Sequence, residues 1–158
     1  MDDRGIYSHV FSVPEAAIDV NGHVNNLEYL RWMQEVAKAH SDAQGWTLDR
    51  YEETRTSWVV RSHAIDYLRP AFAGERLTVL TWISSFEERE SMRHCLFWRE
   101  RDRKVLARAR TLWVFVNAAT GRARSIPEEV RSSFDAVADE AEVVRRLKEP
   151  GVQTHLLG

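Results

Sequence analysis

A single cysteine, Cys95, stands in 158 residues. One thiol cannot build an internal disulfide framework or a cysteine-based structural zinc site, and it fits a reducing compartment. An excess of charge of either sign is also missing, because 22 basic residues meet 24 acidic ones, mixed along the chain, for a formal net charge of −2. No broad basic face supplies the electrostatic part of nucleic-acid binding, so nucleic acid is not expected as a partner. No apolar run approaches the ~20 residues that span a bilayer. The opening Met1-Asp2-Asp3-Arg4-Gly5 lacks the basic and then apolar build of a signal peptide. A cytoplasmic location without a membrane partner is the expectation by default. There is no Gly/Ser linker, low-complexity tract or internal repeat.

Missing motifs narrow the chemistry further. The chain has no Gly-x-Ser-x-Gly elbow, no Walker-type glycine loop, no Gly-x-Gly-x-x-Gly fingerprint and no His-Glu-x-x-His pair. Serine-triad, nucleotide-binding and zincin readings lose their usual support. Asp19-Val20-Asn21-Gly22 opens like a calcium loop, but the third oxygen ligand before glycine and the glutamate six residues beyond it are absent. The histidines, at 9, 23, 40, 63, 94 and 155, are scattered. No metal and no cofactor is expected.

What the chain does have is core material. It is 44% hydrophobic with six tryptophans, and its length suits one domain over residues 1–158. Ile6 to Val13 is β-branched and aromatic and stops at Pro14, which predicts a strand. Residues 14–24 predict a loop. From about Asn26 the apolar positions Tyr29, Leu30, Met33, Val36 and Ala37 recur at three- and four-residue intervals, predicting an amphipathic helix that ends near Gly45. A mixed connector leads to four strand-like runs, Trp58–Leu68, Leu77–Ile83, Met92–Arg99 and Val105–Val116, separated by short polar turns. The early half of the last run shows one polar face, and its later half reads as buried on both. Ser125-Ile126-Pro127-Glu128-Glu129 predicts a helix start, Val137 to Leu147 a second amphipathic stretch, and residues from Pro150 a loose tail. Strand, helix and four tightly joined strands predict an α+β domain, an antiparallel sheet around one central helix.

One stretch concentrates chemistry. Ile18-Asp19-Val20-Asn21-Gly22-His23-Val24-Asn25-Asn26-Leu27-Glu28-Tyr29 places a carboxylate, an imidazole, three carboxamides and a glycine in the turn ahead of the helix. A helix N-terminus offers unpaired N–H groups and the positive end of a dipole, which stabilise charge developing on a bound oxygen. Asp19 has two uses there, as an acid–base group or as the acceptor of an Asx-turn. Asn25 or Asn26 suits the N-cap, Gly22 suits the turn's backbone, and Tyr29 and Trp58 are either core or pocket lining.

The pattern Asp-x-Asn-Gly-His-Val-Asn-Asn-x-x-Tyr at residues 19–29 resembles the signature of the hotdog-fold thioesterases. These include 4-hydroxybenzoyl-CoA thioesterase-like enzymes, bacterial long-chain acyl-CoA thioesterases and plant acyl-ACP thioesterases. Ile65-Asp66-Tyr67-Leu68-Arg69-Pro70-Ala71 also looks like the second-strand ending of the bacterial members. The resemblance covers about residues 6–134, leaving 135–158 as a helical extension and tail. It implies a hotdog fold, a homodimer with sheets side by side or a tetramer of such dimers, and hydrolysis of acyl-CoA, or of acyl-ACP, to a free acid and a thiol. It implies Asp19 as general base or nucleophile, Asn21 and His23 as its assistants, and the amides around Gly22 to Val24 facing the thioester carbonyl. It further implies that Gly22 and Val24 border the substrate, and Tyr29 and Trp58 are the candidate side chains for lining the acyl pocket. Arg89 and Arg93 are candidates to grip CoA phosphates. Where the plant enzymes place Glu-Cys after the second strand, this chain has Pro70-Ala71, so their four-residue catalytic set does not carry over. An (R)-specific enoyl hydratase or dehydratase and a non-catalytic acyl-binding module are the alternatives.

Overall fold

The computed structural model describes residues 4–148, and the stretch read as a tail from Pro150 lies outside them. The chain runs β1 (Ile6–Ser12), α1 (Asn26–Ala43), α2 (Leu48–Thr54), β2 (Thr56–Tyr67), β3 (Arg76–Phe86), β4 (Glu90–Arg99), β5 (Lys104–Asn117), α3 (Glu128–Arg131) and α4 (Glu140–Lys148). All neighbouring strands are antiparallel, in the order β1-β3-β4-β5-β2. Register shifts at Val60/Ser62, Ile83/Ser85 and Phe97/Trp98 mark places where a strand bends. The sheet packs one face against α1, which is the hotdog arrangement.

The apolar stripe of α1 explains that packing. Tyr29, Trp32, Met33 and Val36 share one side of the helix and are buried against Leu77 and Val79 of β3, Cys95 and Phe97 of β4, and Ala107 and Ala109 of β5. Small residues on β5 leave room for the bulky helix side chains. The other face of the sheet is covered as well, because Leu80, Trp82, Leu96 and Trp98 pack against Val137, Val143 and Leu147. Covered on both sides, β3 is buried without a break from Leu77 to Ile83. β5 keeps Arg108 and Arg110 exposed in its first half and buries Val114, Phe115 and Val116 in its second.

One element escaped the pattern. The connector before β2 holds α2, capped by Thr47, whose hydroxyl accepts from Arg50 N at 3.2 Å, and closed by Arg55 in the left-handed region at φ 56°. None of its seven residues is buried, so there is no apolar stripe to betray it. β2 forms one edge of the sheet and is mostly exposed on both faces from Val59 to Tyr67. No helix among the described residues is long and apolar enough to cross a membrane.

Candidate active site

Three short connections shape the turn ahead of α1. Ile18 and Val24 form an isolated antiparallel bridge, and Asp19 N donates to His23 O at 3.0 Å. Gly22 N returns to Asp19 O at 3.0 Å, with Gly22 at φ +84°. This is a hairpin with a three-residue loop whose last position needs the left-handed region, which glycine enters without a Cβ penalty. Asn21 N donates to Asp19 Oδ1 at 2.8 Å, an Asx-turn that fixes the carboxylate at the base of the loop. Asp19 Oδ2 has no hydrogen-bond partner among the described residues, and the side chain is half-buried. The structural and chemical uses of this carboxylate are therefore compatible: one oxygen holds the turn and the other is open.

The helix start follows at once. Asn25 is the N-cap, its Oδ1 accepting from Leu27 N at 2.9 Å and its carbonyl from Glu28 N at 2.9 Å. Asn26 receives the Tyr67 hydroxyl on its carbonyl at 3.2 Å. Asn25 N and Val24 N are committed to Ala17 O and Ala71 O, both at 2.9 Å. Of the three amides at Gly22, His23 and Val24, only that of His23 lacks a partner among the described residues, and the Asn26 amide at the first helical position lacks one too. These two amides remain available as donors at the helix start. Val24 points its side chain into the core, 2% exposed. His23 is half-buried, and its Nδ1 donates to Val24 O at 3.3 Å, which leaves Nε2 free to accept. Asn21 is exposed.

Behind the turn lies a buttress that the sequence did not disclose. Arg99 on β4 donates to Pro70 O at 3.3 Å, to both oxygens of Glu75 at 3.3 Å, and through Nε and Nη2 to Asp102 at 3.0 and 2.7 Å. Glu75 in turn accepts from Phe72 N at 2.8 Å. Residues 70–75, which supply Ala71 O to the signature turn, are thus held by one buried guanidinium. The hydrogen bonds from Arg99 hold the Asp102 carboxyl at about 2, well below the usual carboxylate range. No spacing rule links Pro70, Glu75 and Arg99, since only the strand register brings them together. Val20, Leu27, Leu68 and Phe72 leave large apolar surface exposed around this region.

Tyr29 and Trp58 occupy different places. Tyr29 is buried edge-on against Trp32, Tyr67 and Phe97, at 5.0 to 5.4 Å between ring centroids. Burial first, and then the neighbouring Tyr67 and Glu75, push its phenol up to about 12, so it stays protonated at neutral pH. Trp58 lies at the other end of β2, donating to the Tyr51 hydroxyl at 3.0 Å and lining a cavity of about 200 Å³ with Ala37, Ser41, Tyr51, Ile83 and Trp113. This cavity borders Gln34 to Asp42 of α1, and Gln34 is eight residues, or ~12 Å of helix axis, beyond Asn26. Arg93 also lines it and is only 6% exposed, so it is not a surface cation that could grip a phosphate, whereas Arg89 is exposed. No group of three or more His, Cys, Asp or Glu among the described residues is placed to hold a metal.

Comparison with known proteins agrees with this architecture. The chain is 26% identical over 141 residues to a chloroplastic palmitoyl-acyl carrier protein thioesterase of Gossypium hirsutum, covering 85% of this chain and 34% of that one. This chain therefore spans about a third of that plant relative's length. It is 25% identical over 121 residues to the long-chain acyl-CoA thioesterase FadM of Escherichia coli, covering 75% of this chain and 89% of FadM. A Staphylococcus aureus protein solved in complex with CoA superimposes with a TM-score of 0.78 at 16% identity, covering 89% of this chain and 92% of that one, which speaks for the fold. The sequence profile of the thioesterase-like superfamily matches residues 13–134, and the chain belongs to that superfamily.

Proposed function

We propose that this protein hydrolyses acyl-CoA thioesters to a free acid and CoA, with Asp19 as the group that activates water or attacks the carbonyl. The observation that carries the reading is the Asp19 carboxylate, pinned through one oxygen by Asn21 N with the other open, directly ahead of the α1 N-terminus in a thioesterase-like chain. In the general-base route Asp19 takes a proton from water as the water oxygen attacks the thioester carbon. The carbonyl oxygen becomes an oxyanion, and the His23 and Asn26 amides with the helix dipole stabilise it. Collapse breaks the C–S bond, and the thiolate leaves with the proton returned by Asp19. In the nucleophile route the carboxylate oxygen attacks instead, the thiolate leaves, and water then cleaves the resulting anhydride. His23, through its free Nε2, and Asn21 assist by orienting water.

CoA rather than ACP is the favoured carrier because FadM, a long-chain acyl-CoA thioesterase, is matched over 89% of its length. The plant acyl carrier protein relative is matched over only 34%. Pairing of β2 edges in a homodimer is part of the same proposal.

The test is turnover of aromatic, short and long acyl-CoAs by wild type and Asp19→Asn. Losing a positioned acid–base group lowers turnover by ~10²–10⁴-fold, and a variant with nearly full turnover would sink the assignment. Enoyl-CoA hydration in place of thiol release would establish the hydratase reading instead. Tight acyl-CoA binding without thiol release would establish the binding module.

A further inference from the structure

The cavity beside the C-terminal half of α1 is lined largely by aromatic and aliphatic side chains, and it contains one buried charge, Arg93, that no carboxylate among the described residues pairs with. Arg93 projects from β4, and both hydrogens of its Nη1 are used, toward His40 Nδ1 and Thr81 Oγ1, each at 3.0 Å. Both acceptors are neutral groups. Arg93 forms no ion pair among the described residues, and no carboxylate is among the groups that influence its charge. The acidic residue on the cavity wall, Asp42, is exposed at the rim beside the exposed Lys38.

The guanidinium has five N–H donors, so three remain on Nε and Nη2. Two of them, the Nε hydrogen and one on Nη2, form a complete edge of the fork, the edge that receives a carboxylate through two parallel hydrogen bonds. Trp113 also lines the cavity, and its Nε1 is buried without a hydrogen-bond partner among the described residues. Buried arginines are ordinarily paired, as Arg99 is six residues along the same strand, with Glu75 and Asp102.

We propose that this cavity receives the distal part of the substrate's acyl group and that the open edge of Arg93 recognises a carboxylate there. The preferred substrates are then thioesters of dicarboxylic acids. This rests on the thioesterase reading for the word substrate, while the carboxylate subsite itself does not. A cavity of about 200 Å³ with mostly apolar walls suits methylene or aromatic carbon together with one polar head at Arg93. Arg93 is a specificity residue here and takes no part in the chemistry at Asp19.

The binding arm is independent of turnover. Trp46, Trp58 and Trp113 line the cavity and report its occupancy by fluorescence. Wild type is titrated with monomethyl dodecanedioate and with dimethyl dodecanedioate, which differ by one carboxylate. The monoester is expected to bind at least ~10-fold more tightly, and Arg93→Met to abolish the difference. Arg93→Lys keeps the charge without the fork and should retain only part of it. Equal binding of the two esters by wild type, no binding of either, or a preference that survives in Arg93→Met overturns the proposal. Should Arg93→Met fail to fold, the wild-type comparison and Arg93→Lys still decide. The turnover arm compares plain and ω-carboxylated acyl-CoAs, from octanoyl to hexadecanoyl. Thiol release without preference for the carboxylated series overturns the subsite and leaves the thioesterase standing. Arg93-dependent monoester binding with no thiol release from any substrate leaves the subsite standing and removes the thioesterase.

Discussion

Replacing Gly22 with alanine separates the backbone of the signature turn from its side chains. Gly22 sits at φ +84°, and a Cβ built there meets nothing within 4 Å, so the substitution introduces no clash. Its whole cost is conformational. Holding an L-residue in the left-handed region costs roughly 1–2 kcal/mol, slightly offset because alanine also restricts the unfolded chain. A net loss on the order of 1 kcal/mol lowers the melting temperature of a domain this size by about 2–4 °C. Gly121, in the turn after β5, is a matched control: φ is +74°, nothing lies within 4 Å of its Cβ, and the signature turn is elsewhere. Gly121→Ala should therefore lose the same stability.

Turnover is where the pair should part. The strain at residue 22 is relieved by rotating φ, which disturbs the Gly22 N to Asp19 O and Asp19 N to His23 O bonds that set the Asp19 carboxylate. A displacement near 1 Å at a reacting group costs up to ~10²-fold in rate. Thiol release from an acyl-CoA by Gly22→Ala is expected to fall ~10–100-fold, and that by Gly121→Ala to stay near wild type. Equal turnover in the two variants with equal loss of melting temperature would refute the idea that this turn positions the catalytic carboxylate. An unchanged melting temperature in both would refute the conformational argument.

Acid stability should carry the mark of Arg99. The Asp102 carboxyl is lowered from 3.8 to about 2, so the pair's stabilisation is present above pH ~4 and lost as pH falls through about 2. The melting-temperature gap between wild type and Asp102→Asn should be constant from neutral pH to about 4 and close toward 2; a gap that closes near neutrality refutes it. Phe97→Ala removes a fully buried ring packed at 5.0 Å on Tyr29, and should destabilise by ~3–5 kcal/mol in denaturant titration. A homodimer through the β2 edge predicts twice the chain mass in sedimentation. Because neighbouring N–H groups on an edge strand point opposite ways, of His63→Pro and Ala64→Pro one should dissociate the dimer and the other weaken the pairing with β5; a wild-type monomer refutes it.

Periodicity made most of this fold legible. The three- and four-residue spacing of Tyr29, Met33, Val36 and Ala37 marks α1, and the β-branched runs mark the strands to within a few residues, because burial imposes those patterns directly. α2 carried no such mark, since it buries nothing. The signature turn was legible because its parts are contiguous: Asp19, Gly22 and Asn25 each take a local conformational duty that their chemistry announces. The Arg99 buttress was not, because Pro70, Glu75 and Arg99 meet only through strand register. Arg93 reads as surface in the sequence, being a charged residue between Met92 and His94, and only the three-dimensional cover from α1 and β3 makes it interior.

α1 sets the distance between the two ends of the proposed substrate. Tyr29 meets Phe97 of β4, and His40 meets Arg93 of the same strand. Eleven helical residues cover about 16 Å and four strand residues about 13 Å, so helix and strand run alongside each other in opposite senses. The space directly between them is taken by Met33, Val36 and Cys95, all buried. An acyl chain joining the Asp19 turn to Arg93 must therefore pass on the flank of α1 that carries Gln34, Ala37, Lys38 and Ser41, four residues on one helical face that border the cavity. Trp58 at the start of β2 borders the same cavity, and β2 is one edge of the sheet. Pairing at that edge and the path to Arg93 thus share one side of the molecule, so a partner subunit docked on β2 would form part of the wall along which the acyl chain lies.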